Sequence, residues 1–223
     1  MKHQLGFTLW ELLVTLLVAG VVFGIGVPNV MEFQRNAGMT AASNDLVTAI
    51  LTARTEAVKR QAPATWCLSD DPLAPTPTCA PGVIMNSATR GFIVWVDEND
   101  NLDPVNGTRI LTDATDGNAA VDPGELILTR VAPPGGTIRV STNCGSVVFL
   151  PTGFPRTAGV PCSPAERAVL FCDDRGRRVA AGGLSSARIV LINRLGRAQV
   201  LSESASADPW IVGLVAGGAT CPA

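Results

Sequence analysis

Gly6-Phe7-Thr8-Leu9-Trp10-Glu11-Leu12-Leu13 opens an apolar run that keeps its character to Val27. Of the 21 residues from Phe7 to Val27, fifteen are apolar, three are Gly, two are Thr and one, Glu11, is charged. About 20 apolar residues span a bilayer as a helix, so the run predicts a membrane span over residues 7–27. Lys2 before it favours a cytoplasmic N-terminus. The lone carboxylate is the anomaly. Placing it in a bilayer costs about 2.5–3.5 kcal/mol on insertion scales, so Glu11 calls for a partner and a job. An ordinary secretory signal fits less well. Its best small-residue cut site would end at Ala19 with Leu17 two residues earlier, and the apolar run continues past it.

The opening octet resembles the cleavage site of type IV prepilins and type II secretion pseudopilins. That motif is G-F-T-L-x-E-L, and each of its fixed positions is present here. The resemblance implies a short leader, residues 1–6, removed after Gly6 by a membrane-embedded prepilin peptidase that also methylates the new amine of Phe7. It implies that Glu11 meets the N-terminal amine of a neighbouring subunit in a filament. Such a pair would offset the burial of a carboxylate in an apolar bundle. Pro28 stands where family members commonly carry a helix-kinking proline.

Beyond Pro28 the pattern stays helical but becomes amphipathic. Leu46, Val47, Ile50, Ala53 and Ala57 recur at three- and four-residue steps, with Asp45, Arg54, Glu56, Lys59 and Arg60 between them. Pro63 ends it. Three segments follow: leader 1–6, helix 7–62 (membrane span 7–27, amphipathic 29–62) and a disulfide-bonded head, 63–223. The alternative is two helices with a break at Pro28.

The head reads as short β-rich runs separated by turn residues, spaced as in an antiparallel β fold. The runs are Gly91–Asp97, Arg109–Thr112, Glu125–Val131, Thr137–Thr142, Ser146–Pro151, Ala168–Cys172, Ala187–Asn193 and Gly196–Ser202. Residues 64–82, rich in Pro, Thr and Ala, read as a loop bridged by Cys67 and Cys79. The six cysteines lack the C-x-x-C spacing of a zinc ribbon or a redox motif. They predict three structural bridges in an oxidising compartment. Six cysteines allow 15 connectivities, which sequence alone does not separate; Cys67–Cys79 and Cys144–Cys162 as local loops, with Cys172–Cys221 tying down the C-terminus, are the pairs expected. The fold class is therefore α+β, a long N-terminal helix with a transmembrane first half and an antiparallel β-rich head.

The head resembles the FimT/GspH family of minor pilins and pseudopilins. The features that carry this are Gly91-Phe-Ile-Val-Trp-Val-Asp97, Asp122-Pro-Gly-Glu125-Leu-Ile, Val147-Val-Phe-Leu-Pro-Thr-Gly153, and Ala187-Arg-Ile-Val-Leu-Ile-Asn193 followed by Gly196-Arg197. The resemblance implies a helix carrying a two-sheet head. The stretch between Asp97 and Asp122 is longer than usual for the family and reads as a protruding acidic loop or hairpin.

Net charge is −2 and gives no global argument for a polyanion partner, but the sign is unevenly spread. Residues 62–130 hold ten acids against three Arg; residues 165–200 hold seven Arg against three acids. Arginine suits bidentate phosphate recognition. The turn-like stretches Arg175-Gly-Arg177-Arg178 and Arg194-Leu-Gly196-Arg197 are the candidate sites. FimT-type minor pilins bind DNA through a Gly-Arg-x-Arg motif; here Gly196-Arg197-Ala198-Gln199 lacks the second Arg, and Arg194 is its substitute. No aromatic residues interleave, so backbone contact with double-stranded DNA is the indicated mode. The competing reading is a solvated face or salt bridges to the acidic half.

Asp97, Asn99 and Asp103, with Glu125, offer oxygens for calcium, but an EF-hand-type loop wants Gly and Glu where Leu102 and Thr108 stand; a solvated hairpin tip is the favoured reading. The sole histidine, His3, would leave with the leader, so no enzyme activity and no cofactor are expected. The function expected is that of an inner-membrane, single-pass minor pilin with a periplasmic head, FimT-like in a type IV pilus, among other pilin subunits. The alternatives are a GspH-like pseudopilin of type II secretion and, remotely, a secreted ligand-binding domain.

Overall fold

A computed structural model describes residues 8–80, 84–96, 126–156, 167–175 and 184–204. A single helix, α1, runs Leu9–Arg60 and continues through Pro28, so the alternative of two separate helices does not hold. Its start is set by a reciprocal cap. The Thr8 N–H and hydroxyl both donate to Glu11 Oε2 (2.9 and 2.8 Å), and the Glu11 N–H returns to Thr8 Oγ1 at 3.3 Å. This satisfies two of the donors that a helix start leaves open. Its end is set by Gln61, which takes the left-handed conformation (φ 56°) usual for a residue just past a helix. Pro63 then bars continuation.

The chain divides into two compact units, Met1–Ala37 and Gly38–Ala223. In the first, the helix from Leu9 to Val27 is apolar around its circumference, with Glu11 its one charged residue. Leu9, Trp10, Leu12, Leu16, Leu17, Val21, Phe23 and Ile25 are all exposed. An 18-residue window reaches a mean hydropathy of 2.2 with none of it buried, so the helix is long and apolar enough to cross a membrane.

Among the described residues, the second unit holds the rest of α1 and nine strands. These are β1 (Ala64–Ser69), β2 (Ile84–Ser87), β3 (Gly91–Val96), β4 (Leu126–Val131), β5 (Arg139–Thr142), β6 (Ser146–Phe149), β7 (Arg167–Cys172), β8 (Leu184–Ile192) and β9 (Ala198–Ser204). They form two antiparallel sheets, ordered β4-β3-β1-β6 and β2-β5-β7-β8-β9. One core joins helix and sheets. Met39, Leu46 and Ile50, with Ala42, Ala49, Ala53 and Ala57, meet Trp66, Phe92 and Phe149 of the first sheet and Val169, Phe171 and Ile192 of the second. The alanines at helical spacing let the backbone approach the sheets, and each large side chain buried there contributes about 1.5–3 kcal/mol.

One expectation needs correction. Residues 64–82 are not simply a loop, because β1 is an inner strand of the first sheet, paired on both sides and buried at all six positions. Alternate β1 residues serve two faces. Ala64, Trp66 and Leu68 enter the main core, while Cys67 joins Ile93, Trp95 and Val148 on the other face. The loop after β1 covers that second cluster. It returns with the Ala80 N–H donating to the Leu68 carbonyl at 2.7 Å and with Cys67 bonded to Cys79. Cys144 and Cys172 are also disulfide-bonded; their expected partners, Cys162 and Cys221, lie outside the described residues. So do the expected strand Arg109–Thr112 and the acidic loop.

Candidate functional site

The β8–β9 turn is built around Asn193. Its side-chain oxygen accepts from the N–H groups of Leu195 (3.0 Å) and Arg197 (2.9 Å). Its carbonyl accepts from Gly196 at 2.9 Å, and its own N–H donates to the Arg197 carbonyl at 3.1 Å. These bonds fix the turn and leave Arg194, Leu195 and Arg197 exposed. Gly196 lies at φ 75°, and a Cβ there would stand 2.8 Å from Phe149 Cε1 and 3.1 Å from Pro155 Cδ. Both the backbone and the neighbours therefore demand glycine.

Those neighbours bring in cations that sequence spacing does not associate with the turn. The loop after β6 folds back through the Phe149–Pro155 bridge and the bond from the Arg156 N–H to the Val148 carbonyl, 2.8 Å. At Gly153 it lies against the helix, where a Cβ would be 3.6 Å from Arg54 Nε. Arg156 in turn accepts, through its carbonyl, a 2.8 Å bond from Arg167 Nη2. Arg167 pairs with Ile192, the last residue of β8 before the turn. Thus Arg54, Arg156, Arg167, Arg194 and Arg197 gather at one end of the head. Among the described residues, none of the five forms an ion pair with a carboxylate.

Arg167 differs from the others. It is 4% exposed, its Nε has no hydrogen-bond partner, and burial lowers its pKa. It adds positive potential from beneath the surface. Arg54 and Arg156 are half-buried and Arg194 and Arg197 exposed, so solvent reaches all four.

Arg175 belongs elsewhere. It follows β7, which spans about 20 Å at the usual rise per residue, so it lies at the end opposite Arg167. There Arg175 Nε and Nη2 donate to Asp173 Oδ2 at 2.8 and 2.5 Å, and Asp173 is buried. The grouping of Arg175 with Arg194 and Arg197 is therefore split by the fold, and Arg175 is neutralised by its neighbour. Arg177 and Arg178 lie outside the described residues, as do Gly6, Phe7 and the calcium candidates Asp97, Asn99 and Asp103. Sequence reasoning missed Arg54 and Arg156. Arg54 reads there as a solvent-facing helix residue, and Arg156 precedes the Arg-rich stretch. Only the pairing around Phe149 and Pro155 reveals them.

At the other end of α1, Glu11 already has an intramolecular task as the acidic member of the Thr8 cap. That bond uses Oε2 and leaves the carboxylate able to accept a further donor.

Two solved structures show a likeness, both of the type IV minor pilin FimU from Pseudomonas aeruginosa (strain PAO1) in different space groups. One is 15% identical with a TM-score of 0.39, covering 78% of this chain and 95% of the other. The second is 16% identical with a TM-score of 0.37, covering 75% and 94%. No curated protein gives a significant match. The model of a protein family described as type II transport protein GspH matches residues 42–196, from the helix face that enters the core to the glycine of the β8–β9 turn. With that match over most of its length, the chain belongs to the GspH family of type IV pilin-like proteins.

Proposed function

We propose that this chain is a minor pilin, cut after Gly6, methylated at Phe7, held in the inner membrane by residues 7–27 and carrying its head in the periplasm. What supports the reading is the conjunction of a GspH-family head with an apolar helix that opens on the full G-F-T-L-x-E-L pattern. Mass spectrometry of the N-terminus tests it. A mature chain beginning with methylated Phe7 is the expected result; a chain beginning near Gly20 overturns it.

Within that reading, the head binds the phosphate backbone of double-stranded DNA through Arg54, Arg156, Arg194 and Arg197. The observation that favours this is four solvent-accessible arginines at one end, none paired with a carboxylate among the described residues. Phosphate contacts of this kind are sequence-independent and weaken steeply with salt. The second reading is a GspH-like pseudopilin, favoured by the description of the matching family. Deleting the gene separates the two. Loss of DNA uptake with secretion intact supports the pilus, and the reverse supports the secretion system.

A further inference from the structure

The basic end of the head also carries exposed apolar side chains. Leu51, Val58, Phe154 and Leu195 are all exposed there. Leu51 and Val58 flank Arg54 along α1 at helical spacing, so the three share one helix face. Phe154 follows Gly153, which packs against Arg54 and Val58, and precedes Pro155, which packs against Gly196. Leu195 stands next to Arg194 in the β8–β9 turn, with Arg197 close behind. Each apolar group thus has one of the four arginines of the candidate site beside it.

Phe154 is the decisive one. It is 48% exposed, whereas Trp66, Phe92, Trp95, Phe149 and Phe171, the other described aromatic rings of the head, are all buried. Its loop is held at several points. The Leu150 N–H donates to the Phe154 carbonyl at 2.9 Å, the Gly153 N–H donates to the Leu150 carbonyl at 2.8 Å, and the Arg156 N–H donates to the Val148 carbonyl at 2.8 Å. A ring on a fixed loop is preorganised and loses little freedom when it binds. Sequence order sets Phe154 apart from the C-terminal arginine block, and the fold brings the two together. The aromatic partner that the arginines lack in the sequence is therefore supplied by the loop after β6.

An aromatic ring among arginines discriminates between forms of DNA. A duplex offers its phosphates, but its bases are stacked on one another and present no free face along its length. An unpaired strand offers phosphates to the arginines and base faces to the ring. Were phosphates alone recognised, the duplex would bind more tightly, because its charge is denser and it releases more counterions per contact. We propose that this end of the head takes single-stranded DNA in preference to duplex, with one unpaired base stacked on Phe154 and the flanking phosphates held by Arg54, Arg156, Arg194 and Arg197. The inference rests on the DNA reading above and deepens it from a backbone contact to a choice of strand form.

The test is fluorescence anisotropy of the full chain in detergent with three labelled probes of equal strand length. They are a mixed-sequence single strand, the same sequence as a duplex, and an abasic strand that keeps the phosphates and lacks the bases. The single strand is expected to bind tightest, at least about five-fold over the abasic strand, the lower end of what one base–aromatic stack contributes. Phe154→Ala should abolish that margin and leave the salt slope unchanged, since no phosphate contact is lost. Phe154→Trp keeps a stacking face and should retain the margin; the melting temperature of each variant checks its fold. A duplex that binds as tightly as the single strand, a single strand no better than the abasic one, or a margin that survives Phe154→Ala overturns the proposal, while the binding of duplex leaves the DNA reading standing. Failure to bind any of the three probes overturns both. If vesicles of phosphatidylglycerol then bind, the partner of this end is a lipid surface.

Discussion

Gly196 illustrates how a residue can belong to a binding motif and still owe its place to the backbone. At φ 75°, with Phe149 and Pro155 packed over its Cα, it is the one residue type that the β8–β9 turn accepts. Gly196→Ala puts a Cβ into the left-handed region and against an aromatic carbon. A loss of about 1–3 kcal/mol is expected, read as a lower melting temperature of the full chain. Arg197→Ala next to it removes an exposed side chain and should change stability by less than about 0.5 kcal/mol. Its effect belongs to binding instead. The Gly196-Arg197 pair was legible in the sequence. The partners that complete the cluster were not, because Arg54 and Arg156 reach it through a loop bridge and a helix contact that no local spacing encodes.

The two ends of α1 show how charge is matched to an element's polarity. Glu11 stands in the first turn, while Lys59 and Arg60 stand in the last, each favourable to the helix dipole. Glu56 ties the last turn together, accepting from Arg60 Nε at 2.7 Å and Lys59 Nζ at 3.0 Å. Those bonds, Arg60's first, hold its carboxyl below the ordinary value of 4.5. A depressed folded-state pKa means that the contribution is complete above 4.5 and fades as pH falls through the folded value. Glu56→Gln is therefore expected to lower the melting temperature slightly at neutral pH and to match the parent in strong acid. Equal melting temperatures at neutral pH would show that the exposed pair contributes nothing. The helix itself was readable from apolar periodicity and Pro63. Strand β1 was not. As an inner strand it is buried on both faces and lacks the polar alternation that marks a half-exposed strand. The prolines that follow it in the Cys67–Cys79 loop lent the whole stretch the look of a turn region.

At the scale of the whole head, sequence counting places seven arginines in one C-terminal block, and the fold sets Arg175 at the opposite end of a sheet from Arg167, Arg194 and Arg197. Arg175 is consumed by Asp173 at one end; Arg194 and Arg197 at the other gain Arg54 and Arg156. This separation makes the DNA proposal sharper than composition allows. Binding of duplex DNA by the full chain in detergent, followed by fluorescence anisotropy over a range of salt, should show affinity falling log-linearly with salt. Arg194→Ala with Arg197→Ala, and separately Arg54→Ala with Arg156→Ala, should each reduce the slope by about 2, one for each lost phosphate contact. Arg175→Ala is the control from the opposite end and should leave the slope unchanged. It should instead destabilise the head, because Asp173 would be left buried without its cation. Equal losses from all three variants would mean that DNA follows net charge and not this end of the head. No binding even at low salt would remove DNA from the reading and leave the basic end to subunit contacts.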